Sequence, residues 1–135
     1  MRLRPISVIY GFLVLLIALS CHSQIEANRR PFAPLSEARV SLSNSQITLF
    51  IDKLKEFAAS EHLEFAEGNF TKQGRPVVNV AVRLNAETFY QVDNFRDPTK
   101  FEINAYSHAS DDVWQPIWER LMTKLKSQFG VEIVK

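Results

Sequence analysis

Cysteine is almost missing from this chain: Cys21 is the single one in 135 residues. A lone thiol excludes a disulfide framework and any zinc site built from cysteines. Glycine is scarce too, with 4 residues, and none of them sits in a glycine-rich phosphate loop. Neither paired histidines at metal-ligand spacing nor a nucleophile elbow occurs, so no cofactor and no metal is expected. An excess of one charge is lacking as well, since 16 Lys and Arg face 15 Asp and Glu. Arg2 and Arg4 belong to an apolar leader, and beyond it 14 basic residues meet 15 acidic ones. So balanced a chain has no electrostatic footprint for nucleic acid. No apolar run approaches the ~20 residues that a membrane-spanning helix needs.

What is present is core-forming material. The chain is 46% hydrophobic and holds 10 Phe, which excludes a disordered or collagenous polymer. The roughly 115 residues beyond the leader suffice for one domain with a two-layer core and no covalent staple.

The leader is the most specific part of the sequence. Arg2 and Arg4 form a positive start, and Val8 to Leu19 is an unbroken apolar run of signal-peptide length. Ala18 and Ser20 then stand three and one positions before Cys21, the small-x-small spacing of an export cleavage site. The box Ala18-Leu19-Ser20-Cys21 resembles that of bacterial lipoprotein precursors, in which a small residue precedes a cysteine that is lipidated and becomes the new N-terminus. Ala18 stands where that family usually has Leu, and Leu19 where it usually has a small residue. The resemblance covers the leader only. It implies a signal peptide over 1–20, lipid on Cys21, and an anchor in the bacterial cell envelope facing the periplasm. More than one acyl chain makes such an anchor stable. His22, rather than the Asp that resembles an inner-membrane retention signal, points to the outer membrane. Two readings of the same residues stay open: ordinary cleavage after Ser20 with a free thiol, or an uncleaved short anchor.

From 21 to 41 the chain has no sustained period, two prolines and scattered charges, and reads as a flexible tether with Arg29-Arg30 solvated near the anchor. A single domain is expected over 42–135. Ser43 and Gln46 fit a capping box, Leu42 and Ile47 a hydrophobic staple, and Ile47, Phe50, Ile51, Leu54 and Phe57 recur at helical spacing over 44–60. Alternation around Leu63 and Phe65, over Val78 to Leu84, over Thr88 to Asn94 and over Phe101 to Tyr106 predicts four strands, with turn residues at 68–76. A second helix follows, capped by Asp112, with Pro116 near its first turn and Gly130 at its end. Its stripe is Trp114, Ile117, Trp118, Leu121, Leu125 and Phe129. Residues 131–134 add a last short strand. The expected fold is α+β: a two-layer sandwich with a mainly antiparallel sheet of four or five strands and both amphipathic helices on one face, in the order α-β-β-β-β-α-β.

Chemistry is thin. Ser107, Ser110, Asp111 and Asp112 surround His108, and a hydrolase centred on His108 with Asp111 or Asp112 can be built from them. Serine with aspartate before a helix is, however, ordinary capping chemistry. His62 lies at a helix-to-strand junction and His22 beside the anchor. The oxygen-rich run from Asp93 to Asp97 lacks the glycine and closing glutamate of an EF-hand loop. Glu61, Glu64 and Glu67 read as a solvated acidic edge. With Val78, Val80, Val82, Tyr90, Val92, Phe101, Ile103 and Ala105 facing the core, the opposite face displays Asn79, Arg83, Phe89, Gln91, Glu102, Asn104 and Tyr106. Aromatic rings among polar groups suit recognition. Arg83, Phe89 and Tyr106 are therefore candidates for a partner-docking patch, the alternative being that they merely shield the sheet. The expectation is a non-catalytic binding or accessory lipoprotein, held to the membrane by its lipid and docking to an envelope protein. A toxin is the partner if it acts as an immunity factor. The rivals are a small periplasmic hydrolase at His108 and a purely structural lipoprotein.

Overall fold

A computed structural model of the protein describes residues 33–135. The leader, Cys21 and the tether up to residue 32 lie outside the described residues. In chain order the elements are β1 (Ser36–Ser41), α1 (Asn44–Ser60), β2 (Glu64–Glu67), β3 (Phe70–Lys72) and β4 (Arg75–Val77). They continue as β5 (Asn79–Arg83), β6 (Thr88–Asp97), β7 (Lys100–Ser107), α2 (Asp111–Lys126) and β8 (Glu132–Ile133). The fold is α+β: a 6-stranded sheet in the order β2-β5-β6-β7-β1-β8, with β3 and β4 as a separate hairpin. Every neighbouring pair is antiparallel.

The sequence reading misses three strands. Residues 36–41, assigned to the tether, form β1 and sit between β7 and β8. Ala38 and Val40 are buried while Glu37, Arg39 and Ser41 point outward, a period-two pattern hidden by the prolines just before it. The folded part therefore begins no later than Ser36 rather than at 42. The stretch read as turn residues contains the β3–β4 hairpin, whose two central residues are left-handed, Gln73 at φ 51° and Gly74 at φ 75°. Two positive φ values are what a tight hairpin turn with the native twist demands. Strand β5 stops at Arg83, and Leu84, expected at its buried end, is exposed. Strand β6 runs past Asn94 to Asp97 through a register irregularity.

Helix α1 has the expected bounds. The Gln46 side-chain oxygen accepts the Ser43 N–H at 3.0 Å, the returning half of a capping box, and Leu42 and Ile47 both join the core. At its other end His62 takes φ 57°, with its N–H on Ala59 O at 3.3 Å and the Leu63 N–H on Ala58 O at 2.8 Å. This is a Schellman terminator with histidine in the position glycine normally fills. The N-cap position of helix α2 is Ser110 instead of Asp112, which places Pro116 two residues deeper than expected, and the helix ends at Lys126, short of Gly130. The Phe129 N–H still reaches Leu125 O at 2.8 Å and keeps its ring in the core.

One buried cluster unites the inward residues of β1, β5, β6 and β7 with both helices, and the half-buried Phe65 of β2 packs against it. Phe50 of α1 lies edge-on to Phe101 and Phe129 at 5.5 and 5.2 Å. Tyr90, near the start of β6, is fully buried; its hydroxyl donates to Trp114 O at 2.7 Å and its ring stacks on Trp118. Arg120 of α2 grips Glu61 through two bonds of 2.9 and 2.7 Å and draws that carboxyl below its ordinary pKa. Burial pushes the Tyr90 phenol well above its ordinary pKa of 10.0. A raised folded pKa means that this contribution is intact below about pH 10 and is lost as pH climbs towards the folded value. Urea titrations should find the wild type losing stability between about pH 9 and 11, and Tyr90→Phe losing less of it over that range. At neutral pH the same variant should cost about 1 kcal/mol through the missing bond to Trp114.

Candidate functional site

The pleat of β6 and β7 builds the surface opposite the core. Residues alternate along each strand, so Tyr90 and Val92 go inward while Phe89, Gln91 and Asp93 go outward. On β7, Phe101, Ile103 and Ala105 go inward, and Glu102, Asn104 and Tyr106 outward. Antiparallel register then sets these residues in rows across the sheet. Arg83, Phe89 and Tyr106 stand side by side; Ala81, Gln91, Asn104 and Glu37 form the next row; Asn79, Asp93, Glu102 and Arg39 the third. None of them belongs to the buried core cluster. The rings of Phe89 and Tyr106 stack at 5.1 Å with an interplanar angle of 22°. Arg83, exposed, lies 3.9 Å from Glu64 on β2. The three residues singled out from sequence are thus brought together.

Two shallow hollows share this face. One, of about 430 Å³, lies over Ala81, Arg83, Phe89 and Gln91. The other, of about 490 Å³, lies over Gln91, Asn104, Tyr106 and the carboxylates Glu37, Asp93 and Glu102, with Phe70 and Phe95 on its rim. The β3–β4 hairpin frames that rim. Phe70 meets Phe95 at 6.0 Å, Lys72 Nζ sits 3.6 Å over the Phe95 ring, and Arg75 donates to Asn94 O and Phe95 O at 3.2 and 2.8 Å. Sequence reasoning missed Glu37, whose strand was read as tether, and Phe70, whose hairpin was read as turn. Burial first, then the carboxylates Asp93, Glu102 and Glu37, raises the pKa of the Tyr106 phenol.

Two buried asparagines behave in opposite ways. Asn94 accepts the Val78 N–H at 2.8 Å and donates to Pro98 O at 3.1 Å, tying the start of β5 to the β6–β7 turn. Asn104 is 8% exposed, yet its Oδ1 has no hydrogen-bond partner. An unpaired buried acceptor costs about 1–3 kcal/mol, and sites that tolerate one are often functional.

Around His108 the polar groups are committed locally. Ser107 Oγ bonds Thr88 Oγ1 at 2.7 Å and accepts the Ala109 N–H at 3.0 Å. Asp111 accepts the Trp114 indole N–H at 2.9 Å, and Asp112 accepts from the Ser110 hydroxyl. These are turn and cap contacts that set the start of α2. Asp93 and Asp97 close turns onto Phe95 and Thr99. Glu61, Glu64 and Glu67 each meet a cation, Arg120, Arg83 and Lys55 respectively. No three His, Cys, Asp or Glu side chains converge to hold a metal among the described residues. No helix among them is long and apolar enough to cross a membrane.

The chain matches no protein-family model, and no curated protein shows significant similarity to it. If Asn104 is the unpaired group and Asn94 the paired one, leucine should part them. Asn94→Leu should lose about 2 kcal/mol or more in chemical denaturation, whereas Asn104→Leu should stay within about 1 kcal/mol of wild type or exceed it.

Proposed function

We propose that this protein is a non-catalytic binding module of the bacterial envelope, anchored through lipid on Cys21 and docking a protein partner on the open face of its sheet. The observation that carries the reading is the stacked pair Phe89 and Tyr106 beside Arg83, outside the core cluster. Aromatic and arginine side chains dominate binding energy where they are desolvated at the middle of an interface. A pre-stacked pair loses little rotamer freedom on contact, which lowers the entropic cost of docking.

The leader box supplies the address. Cleavage before Cys21 would leave the fold facing the periplasm, on the outer membrane rather than the inner, with the tether between Cys21 and β1 giving it reach.

The address and the docking face are tested separately. Intact mass of the chain purified from membranes should lack residues 1–20 and carry acyl groups, and Cys21→Ser should leave the leader in place; an unmodified thiol on the mature chain would refute lipidation. For the face, a photoreactive side chain at Phe89 or Tyr106 should give one discrete crosslinked species in cells, while the same group at Asp52 on α1 should not. The pair Phe89→Ser with Tyr106→Ser should keep the thermal midpoint within about 5 °C, as surface changes do. The pair should also abolish crosslinking from Gln91. Equal crosslinking from α1 and from the sheet would contradict the docking face.

A further inference from the structure

The hollow over the second row of the open face has a chemical preference of its own. Of its charged lining groups, Glu37, Asp93 and Glu102 are carboxylates and Arg96 alone is a cation. Arg96 is already spoken for, its guanidinium 3.2 Å from Glu102, and its side chain is 75% exposed, so it hangs at the margin. At the floor is Asn104, whose Oδ1 is buried and accepts nothing. The residue lines the hollow, and its last side-chain torsion is soft. Gln91 beside it spends one of its two amide N–H groups on Asn79 Oδ1 at 3.2 Å. The ring of Tyr106 forms part of the wall.

Glu37 is paired with Arg39 at 2.8 Å, an arginine that does not line the hollow, so Asp93 and the unpaired Asn104 oxygen do most to set its preference for a cation. An acidic ligand would be repelled, and an apolar one would leave the Asn104 oxygen unpaired, at a cost. We propose that this hollow receives a guanidinium or ammonium side chain presented by a basic segment of the partner protein. The cation sits between the carboxylates, donates to Asn104 Oδ1 and lies against the Tyr106 ring, where cation–π attraction adds to the ion pairing. The assignment rests on the docking reading above and names the chemistry of what docks. Arg96 competes for Glu102 in the free protein and gives way when the partner's cation arrives.

The test uses the full-length chain, isotopically labelled, in detergent micelles, with a blocked Gly-Arg-Gly-Arg-Gly peptide as probe and its citrulline counterpart as the neutral control. The arginine peptide should shift the Asn104 side-chain amide and Tyr106 resonances and bind at least about tenfold more tightly than the citrulline peptide, with affinity falling as salt rises. Asp93→Asn combined with Glu102→Gln should weaken it at least about fivefold, and Asn104→Leu should weaken it without loss of folding. Arg96→Ala should tighten it about twofold by freeing Glu102. Equal binding of the two peptides, no shift with either, or indifference to the carboxylate pair would overturn the proposal. If the arginine peptide fails while crosslinking from Phe89 persists, the cation assignment falls and the docking face stands. If it binds while crosslinking from Phe89 and Tyr106 fails, the hollow stands as a ligand site and the docking row falls.

Discussion

The two-residue pleat of β6, locked in register between β5 and β7, is the constraint on which the rest depends. It divides one run of side chains between two environments: Thr88, Tyr90, Val92 and Asn94 are buried, and Phe89, Gln91 and Asp93 stay on the other face. A slip by one residue would bury Asp93 and expose Tyr90, so the register and the proposed docking face stand or fall together. Several independent bonds hold it. The Tyr90 hydroxyl is fixed to Trp114 O, Thr88 Oγ1 to Ser107 Oγ, and Asn94 to Val78 N–H and Pro98 O. Each ties β6 to a different element, which makes the buried polar network a device for specifying one arrangement as well as for stabilising it.

That division explains how a near-neutral protein acquires a surface with local character. The core side takes apolar residues almost exclusively. The other side collects what remains, and the register sorts it into an aromatic row, an amide row and a charged row. Edge protection follows from the same economy. Strand β8 at one edge is two residues long and β2 at the other is four, short enough to offer little template for a further strand. A partner is therefore better accommodated on the face than along the edge.

Much of the fold was legible because its strongest signals are local. Helix α1 declared itself through Ser43 and Gln46 at its start and a stripe from Ile47 to Phe57; the strands β5, β6 and β7 declared themselves through alternation. What was not legible depended on distant partners. Strand β1 offers only Ala38 and Val40 as inward apolar residues, and it becomes a strand because Leu35 to Ser41 finds β7 far along the chain. The β3–β4 hairpin is three residues a side and is held by Arg75 reaching the carbonyls of Asn94 and Phe95. The row of Arg83, Phe89 and Tyr106 was readable, since face follows from parity. The hollow was not, because Glu37 enters it from the unrecognised strand, and no pattern in the sequence announces that Asn104 lacks a partner while Asn94 has two.

The central claim is that the face carrying Phe89 and Tyr106 is free in the isolated protein and covered in the cell. Carbene footprinting reads this directly, on intact membranes and on the same chain after purification. Labelling of Phe89, Gln91 and Tyr106 should rise sharply on purification while Tyr90 and Trp118 stay protected in both. Unchanged labelling of the three, or labelling of Tyr90 as strong as that of Tyr106, would contradict it.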